Sequence, residues 1–233
     1  MERISLSPSI MCGDLVNLEK SMNEIEGAGF KCLHIDLIDG SFSPSMPLGL
    51  ETIKRMREVT DLAFDLHIMA RDNEFFINEV LKMGVQSVTF HYETALHLDR
   101  YVNLIKKAGA KCGIALNPAT DFKTLKWLLP QLDLVCLMLI NPGFATDQNE
   151  MAISYGLEKV KALQLFIKER GAGSDIQVDG RVSLDWLPQL VAAGANNLVL
   201  GSKSLFRPGF EIGESKEEIL ACLKGSEGVY DVS

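Results

Sequence analysis

The chain has no Cys-x-x-Cys pair. Its five cysteines, Cys12, Cys32, Cys112, Cys136 and Cys222, are odd in number and widely spaced. That excludes a zinc ribbon or a complete disulfide framework and leaves reduced structural thiols. No stretch approaches the roughly 18 apolar residues of a membrane span. Met1-Glu2-Arg3-Ile4-Ser5 leads almost straight into an apolar strand rather than a signal segment, and a cytoplasmic location is expected. Basic residues are in the minority, 23 Lys and Arg against 31 Asp and Glu, for a net charge of −8. That balance excludes a broad nucleic-acid surface or attraction to anionic membranes. A small anionic ligand stays compatible with it, because backbone amides can hold a phosphate locally. Also missing are a Walker loop, a Rossmann glycine fingerprint and a nucleophilic serine elbow.

What is present is a regular alternation of apolar runs and amphipathic stretches. Strand candidates are Ile4 to Met11, Lys31 to Asp39, Leu62 to Met69, Ser87 to Glu93, Lys111 to Asn117, Leu134 to Ile140, Asp175 to Gly180 and Asn197 to Ser202. Helical patterns lie between them at Leu15 to Gly27, Leu50 to Glu58, Glu74 to Met83, Leu98 to Ala108, Phe122 to Leu129, Ala152 to Glu169, Leu184 to Ala193 and Ser215 to Leu223. Near-continuous apolar strands point to burial on both faces, as in a parallel sheet. Gly29, Gly84, Gly109 and Gly194 each follow a helix, in the helix-ending role of glycine. No linker or low-complexity tract divides the chain. The strict alternation predicts an α/β fold, a single parallel (β/α)8 TIM barrel over residues 1–233, rather than a doubly wound open sheet. Residues 225–233 are expected to be a frayed tail.

In such barrels the C-terminal strand ends form the active face. His34, Asp36, His67 and Asp179 all fall late in predicted strands. His34 and Asp36 are two residues apart and therefore point the same way. One such residue alone is ordinarily a satisfied polar group or a helix cap. Four at corresponding heights on three strands fit one shared site better. Two imidazoles and two carboxylates suit one divalent cation such as zinc, manganese, iron or cobalt, and the carboxylates can also move protons. Ser9 ends the first strand at the same face. With His67, Met69 and Met138 it is a candidate to touch substrate, and Met11 is a further pocket candidate, although methionine in strands is more often plain core. His91 and Glu93 end the fourth strand. A place behind the ligands or at the substrate's edge and a loop-stabilising role weigh equally for them. His97 is read as a surface residue.

Asn141-Pro142-Gly143-Phe144-Ala145 follows the sixth strand, Gly180-Arg181 the seventh and Gly201-Ser202 the eighth. Loops after the last two strands of barrels often donate amides to phosphate. Ser202 adds a hydroxyl and Arg181 a charge. Singly, each glycine marks a tight turn. Together they predict a phosphate site of Gly143, Phe144, Ala145, Gly180, Arg181, Gly201 and Ser202.

These segments resemble the ribulose-phosphate 3-epimerase family of metal-dependent ketose-phosphate epimerases. The resemblance runs from Ser7-Pro8-Ser9-Ile10 to Gly201-Ser202. It is strongest in His34-Ile35-Asp36-Leu37-Ile38-Asp39-Gly40, Leu66-His67-Ile68-Met69, Asn141-Pro142-Gly143-Phe144 and Val178-Asp179-Gly180. It implies a barrel of the ribulose-phosphate binding type and one divalent metal on His34, Asp36, His67 and Asp179. It also implies Asp36 and Asp179 as the catalytic acid/base pair, with a phosphorylated ketose as substrate. No organic cofactor is needed, and a homo-oligomer without nucleic-acid or membrane partners is expected. Pro8-Ser9-Ile10-Met11-Cys12-Gly13-Asp14-Leu15 and Ser204-Leu205-Phe206 look more like the D-allulose-6-phosphate 3-epimerase branch. Interconversion of D-allulose 6-phosphate and D-fructose 6-phosphate is thus the first expectation. Epimerisation of D-ribulose 5-phosphate to D-xylulose 5-phosphate is the second.

Three positions depart from the family pattern. Ile38 stands where methionine is usual, Ala145-Thr146-Asp147-Gln148 is one residue longer than the usual continuation, and Arg181 replaces a second glycine. All three touch the sugar or phosphate end. Asp147 is expected to face solvent, since an inward carboxylate would repel phosphate. Epimerisation at C3 removes the proton beside the ketone and returns one to the opposite face through an enediolate, so one carboxylate is needed on each side. A decarboxylase or aldolase of the Asp-x-Lys-x-x-Asp kind would need lysine where Ile38 stands. A sugar-phosphate-binding protein without turnover is the remaining alternative, but binding alone has no use for two opposed carboxylates.

Overall fold

The computed structural model describes residues 2–147, 149–224 and 230–232. In β2 (Cys32–Ile38) Leu33, Ile35 and Leu37 alternate with His34 and Asp36, and in β3 (Ala63–Met69) Phe64, Leu66 and Ile68 alternate with Asp65 and His67. Successive side chains leave opposite faces of a strand. The apolar set therefore packs outward into the main core beneath the helices, and the polar set turns inward. Both faces are buried, as expected, but they are chemically different.

The other strands are β1 (Glu2–Pro8), β4 (Ser87–His91), β5 (Lys111–Leu116), β6 (Leu134–Met138), β7 (Asp175–Asp179) and β8 (Asn197–Leu200). Neighbours pair in chain order, all parallel, and β8 pairs with β1. A bridge between Ser9 and His34 joins β1 to β2, so eight strands make the predicted, nearly closed barrel. The interior below the strand ends is a polar belt. Gln177 Nε2 donates to Asp65 Oδ2 (2.8 Å) and to Asn197 Oδ1 (3.2 Å). Ser7 Oγ donates to Asn197 Oδ1 (3.0 Å), and Ser87 donates to Asp65. A small apolar cluster of Ala115, Leu134, Cys136 and Met138 fills the rest.

Seven α-helices surround the described barrel, not eight: α1 (Leu18–Gly27), α2 (Leu50–Val59), α3 (Asn73–Leu81), α4 (Leu98–Lys107), α5 (Gly156–Glu169), α6 (Leu187–Ala193) and α7 (Ile212–Lys224). The helix expected at Phe122 to Leu129 is instead two 3-10 turns, Phe122–Leu125 and Leu129–Gln131. Pro130 lacks an amide and its ring would clash with the preceding turn of an α-helix. Proline likewise delays α6, because Pro188 is tolerated only in the first turn. Gly29, Gly84, Gly109 and Gly194 all have positive φ, as their helix-ending role requires.

Of the tail expected to fray, Tyr230–Val232 is instead a strand, β9, while 225–229 and Ser233 lie outside the described residues. β9 runs parallel to Glu2–Ile4. At that end β1 has no ladder with β2, and an open edge offers unpaired amides that a further strand can take up.

The five cysteines are free thiols. Burial pushes Cys12 and Cys32 up to about 11 and Cys112 to about 12, which makes them poor nucleophiles at neutral pH. Among the described residues no helix is long and apolar enough to cross a membrane.

Candidate active site

The pairing of β2 with β3 sets Asp36 beside His67 and His34 beside Asp65, and Asp179 arrives as the last residue of β7. One ligand atom from each of His34, Asp36, His67 and Asp179 lies within 4.8 Å of all the others. His34 Nε2 is 3.4 Å from Asp36 Oδ1 and 3.8 Å from Asp179 Oδ2. His67 Nδ1 is 3.5 Å from Asp36 Oδ1 and 3.3 Å from Asp179 Oδ2. Both of these nitrogens are buried without a hydrogen-bond partner. Such groups are costly unless something else satisfies them. Two imidazole lone pairs and two carboxylates around one point fit a single divalent cation.

The charges are strongly coupled. Burial acts to raise the Asp36 pKa, but His34 and His67 hold it far below the usual carboxylate range. Burial acts to lower the pKa of both imidazoles. Asp36 and Asp65 nevertheless hold His34 well above its ordinary value, and Asp179 and Asp36 do the same for His67. Supports outside the cluster fix orientation. His34 Nδ1 faces Asp65 Oδ2 at 2.8 Å, and Ser9 Oγ donates to Asp36 Oδ2 at 2.8 Å.

Above the cluster opens a pocket whose wall includes both carboxylates but neither imidazole. His67, expected to touch substrate, is instead sealed beneath them with no exposed surface. Ser9, Met69 and Met138 line the pocket, together with Met11 and Ile38. Its other end is built from Gly143, Ala145, Gly180, Arg181, Gly201 and Ser202. Phe144 is not on this wall and is 37% exposed. Sequence reasoning stopped one residue short of Lys203, which also lines the pocket and directly follows the Gly201-Ser202 pair. His91 lies buried against His67, whereas His97 is exposed.

Two departures from the family pattern turn out to be coupled. Arg181 Nε donates to Glu150 O at 3.0 Å and its Nη2 to Asp147 O. The guanidinium thus braces the longer loop. Asp147 is exposed, as expected, and Gln148 lies outside the described residues. Arg181 is the one non-glycine residue with positive φ (54°) among those described, so its backbone occupies the left-handed conformation that glycine would take. Two guanidinium nitrogens are thereby engaged by the loop, while the residue still lines the pocket.

Gly180 shows why side chains are excluded here. A Cβ would lie 2.5 Å from Ile140 Cγ1 at a φ of +101°. Gly180→Ala is expected to destabilise by about 1–3 kcal/mol, lowering Tm by roughly 3–10 °C for a domain of this size. A thermal melt checks this, and an unchanged Tm would show that Ile140 gives way freely.

A parallel barrel whose strand ends gather two imidazoles and two carboxylates, a set fit for one divalent cation, under a glycine-walled pocket defines a β/α-barrel enzyme. More particularly, the chain belongs to the ribulose-phosphate 3 epimerase family, whose model matches residues 5–206. It is 36% identical over 200 residues to ribulose-phosphate 3-epimerase of Bacillus subtilis, covering 85% of this chain and 91% of that one. The protein of the same name from Escherichia coli is 30% identical over 222 residues, covering 94% and 97%. This membership makes the chain a carbohydrate epimerase. Among solved structures, 3-hexulose-6-phosphate synthase from Salmonella typhimurium superposes with a TM-score of 0.65 at 14% identity, covering 95% of this chain and 98% of that one. Phosphoribosyl anthranilate isomerase from Thermococcus kodakaraensis gives 0.64 at 14%, covering 96% and 100%. At such identities these two share the fold alone.

Proposed function

We propose that the protein is a metal-dependent ketose-phosphate 3-epimerase that interconverts D-ribulose 5-phosphate and D-xylulose 5-phosphate. The observation that carries the chemistry is the pair of carboxylates, Asp36 from β2 and Asp179 from β7, both on the pocket wall. One removes the C3 proton and the other returns a proton to the opposite face. Ser9 and the two imidazoles hold Asp36 ionised and oriented for that exchange. A divalent cation in the cluster supplies Lewis-acid stabilisation of the negative charge that builds on the sugar oxygens.

The pentulose now stands ahead of the hexulose for two reasons. The curated relatives described above carry the name ribulose-phosphate 3-epimerase. The segments that pointed to D-allulose 6-phosphate also lie mostly away from the pocket: Asp14 and Leu15 are exposed, and Ser204 and Leu205 are fully buried in the body of the fold. Only Ser9, Met11 and Cys12 of those segments line it.

The phosphate is assigned to the end built from Gly143, Gly180, Arg181, Gly201 and Ser202, where main-chain amides are the available donors. Lys203 is the lining cation there that no carbonyl or carboxylate engages among the described residues. We expect kcat/KM to be higher for D-ribulose 5-phosphate than for D-allulose 6-phosphate, and negligible for unphosphorylated D-allulose. Lys203→Ala should raise KM for the phosphorylated sugar roughly two- to fivefold with kcat retained, the range of an exposed charge pair. A preference for D-allulose 6-phosphate would reverse the assignment of substrate, and equal activity on the free sugar would remove the phosphate site.

A further inference from the structure

We propose that Glu93, acting through His91, selects the tautomer of His67 that presents its Nδ1 lone pair to the metal, and is thus a positioning residue of the metal centre. This rests on the four-residue cluster being a metal site. A neutral imidazole has one N–H and one lone pair, so whatever engages one nitrogen decides what the other can do. His67 Nδ1 faces Asp36 and Asp179, while its Nε2 lies 3.0 Å from His91 Nε2. The two ring planes are 13° apart with centroids 5.0 Å apart, so the two rings lie nearly parallel with their Nε2 atoms facing. On the far side, His91 Nδ1 is 3.2 Å from Glu93 Oε2.

With a divalent cation among the four donors, only one placement of protons serves every contact. If His91 donated from Nε2, its Nδ1 lone pair would face the Glu93 carboxylate, and His67 would turn an N–H toward the cluster. If instead His91 donates Nδ1–H to Glu93, its Nε2 accepts from His67 Nε2–H, and His67 Nδ1 is left as a lone pair. Glu93 is held ionised for this task. Burial acts against it, but His91, Thr120 and the Asn117 amide lower its pKa. Asn117 N donates to Glu93 Oε1 at 2.7 Å, and Thr120 Oγ1 donates to the same oxygen. His91 is fully buried, with one ring nitrogen on His67 and the other on Glu93. The Phe42 ring covers it at 4.7 Å. Lys159, which feels the Glu93 charge, is occupied by the Asn117 and Pro118 carbonyls. His34 achieves the opposite choice by a direct contact, with Nδ1 on Asp65 and Nε2 toward the cluster. The two ligand imidazoles are therefore set by different devices, one by a carboxylate and one by a carboxylate acting through a second imidazole.

The test uses the full chain loaded with zinc. Nitrogen-15 NMR of the histidine rings should show His67 protonated at Nε2, which needs no variant and no substrate. Competition with a chromophoric chelator should show zinc binding weakened roughly ten- to hundredfold in Glu93→Gln, the usual effect of losing such a support. The glutamine carbonyl cannot serve both His91 and the Asn117 amide. His91→Leu should lose affinity similarly. His91→Gln, whose amide oxygen can take over the acceptor role of Nε2, should keep affinity within a few-fold of wild type. A His67 ring protonated at Nδ1 in the zinc form, or equal zinc affinity in wild type and Glu93→Gln, would overturn the proposal. A wild type that binds no zinc at all would reject the metal site on which it rests, a separate and distinguishable failure.

Discussion

Asp36→Asn and Asp179→Asn are each expected to lower kcat by about 10²–10⁴-fold, the usual contribution of a positioned proton-transfer group. An amide cannot accept the C3 proton, yet its carbonyl oxygen can still face a cation. Zinc or cobalt content measured on the same preparations therefore separates lost chemistry from lost metal. Turnover by the wild type in D₂O should place deuterium at C3 of the product. In a variant that retains one functional carboxylate, exchange of the C3 proton of one epimer can outlast net epimerisation. Product that carries no solvent deuterium at C3 would rule out the proton-transfer mechanism.

The second large effect concerns metal and pH. The carboxylates around His34 and His67 raise both imidazole pKa values, so protons compete with a metal for those lone pairs at higher pH than for an ordinary histidine. A group with a raised pKa binds its proton more tightly below that pKa, and metal binding must displace it. Metal affinity is therefore expected to fall as pH falls through neutrality, with a slope approaching two protons per metal. His67→Ala should reduce metal content strongly at every pH and flatten that slope toward one. Titration with cobalt from about pH 8.5 down to about pH 6 checks both. Constant affinity over that interval would mean that the imidazoles are not the ligands.

How much of this was legible beforehand varies by element. His34, Asp36, His67 and Asp179 could be picked out because alternation along a strand is local. Two residues apart means the same face wherever the strand goes. The helix-ending glycines were legible for a similar reason, since a positive φ is a demand on one residue. The helix expected near Phe122 failed because its apolar spacing was followed by Pro130, and amphipathic spacing does not show whether 3-10 or α geometry will carry it. The hexulose reading loses support at Ser204 and Leu205, whose motif resemblance says nothing about whether they reach a pocket. The bracing role of Arg181 was not legible for the same reason. Its charge was visible, but the Asp147 and Glu150 carbonyls that take up its guanidinium were not.

By itself, then, the sequence determined the strand–helix alternation of the barrel and the four candidate donors at its strand ends, because both follow from local periodicity and residue chemistry. Tertiary structure decided what depends on partners distant in the chain. Only the register of β2 against β3 and the arrival of β7 bring four donors within 4.8 Å. Only the packing of β4 against β3 puts His91 on His67, and only the turn after β5 ties down Glu93 behind it. Those contacts are set by where strands sit around the ring, and a hydrogen bond between residues 24 apart leaves no periodic trace in the chain that makes it.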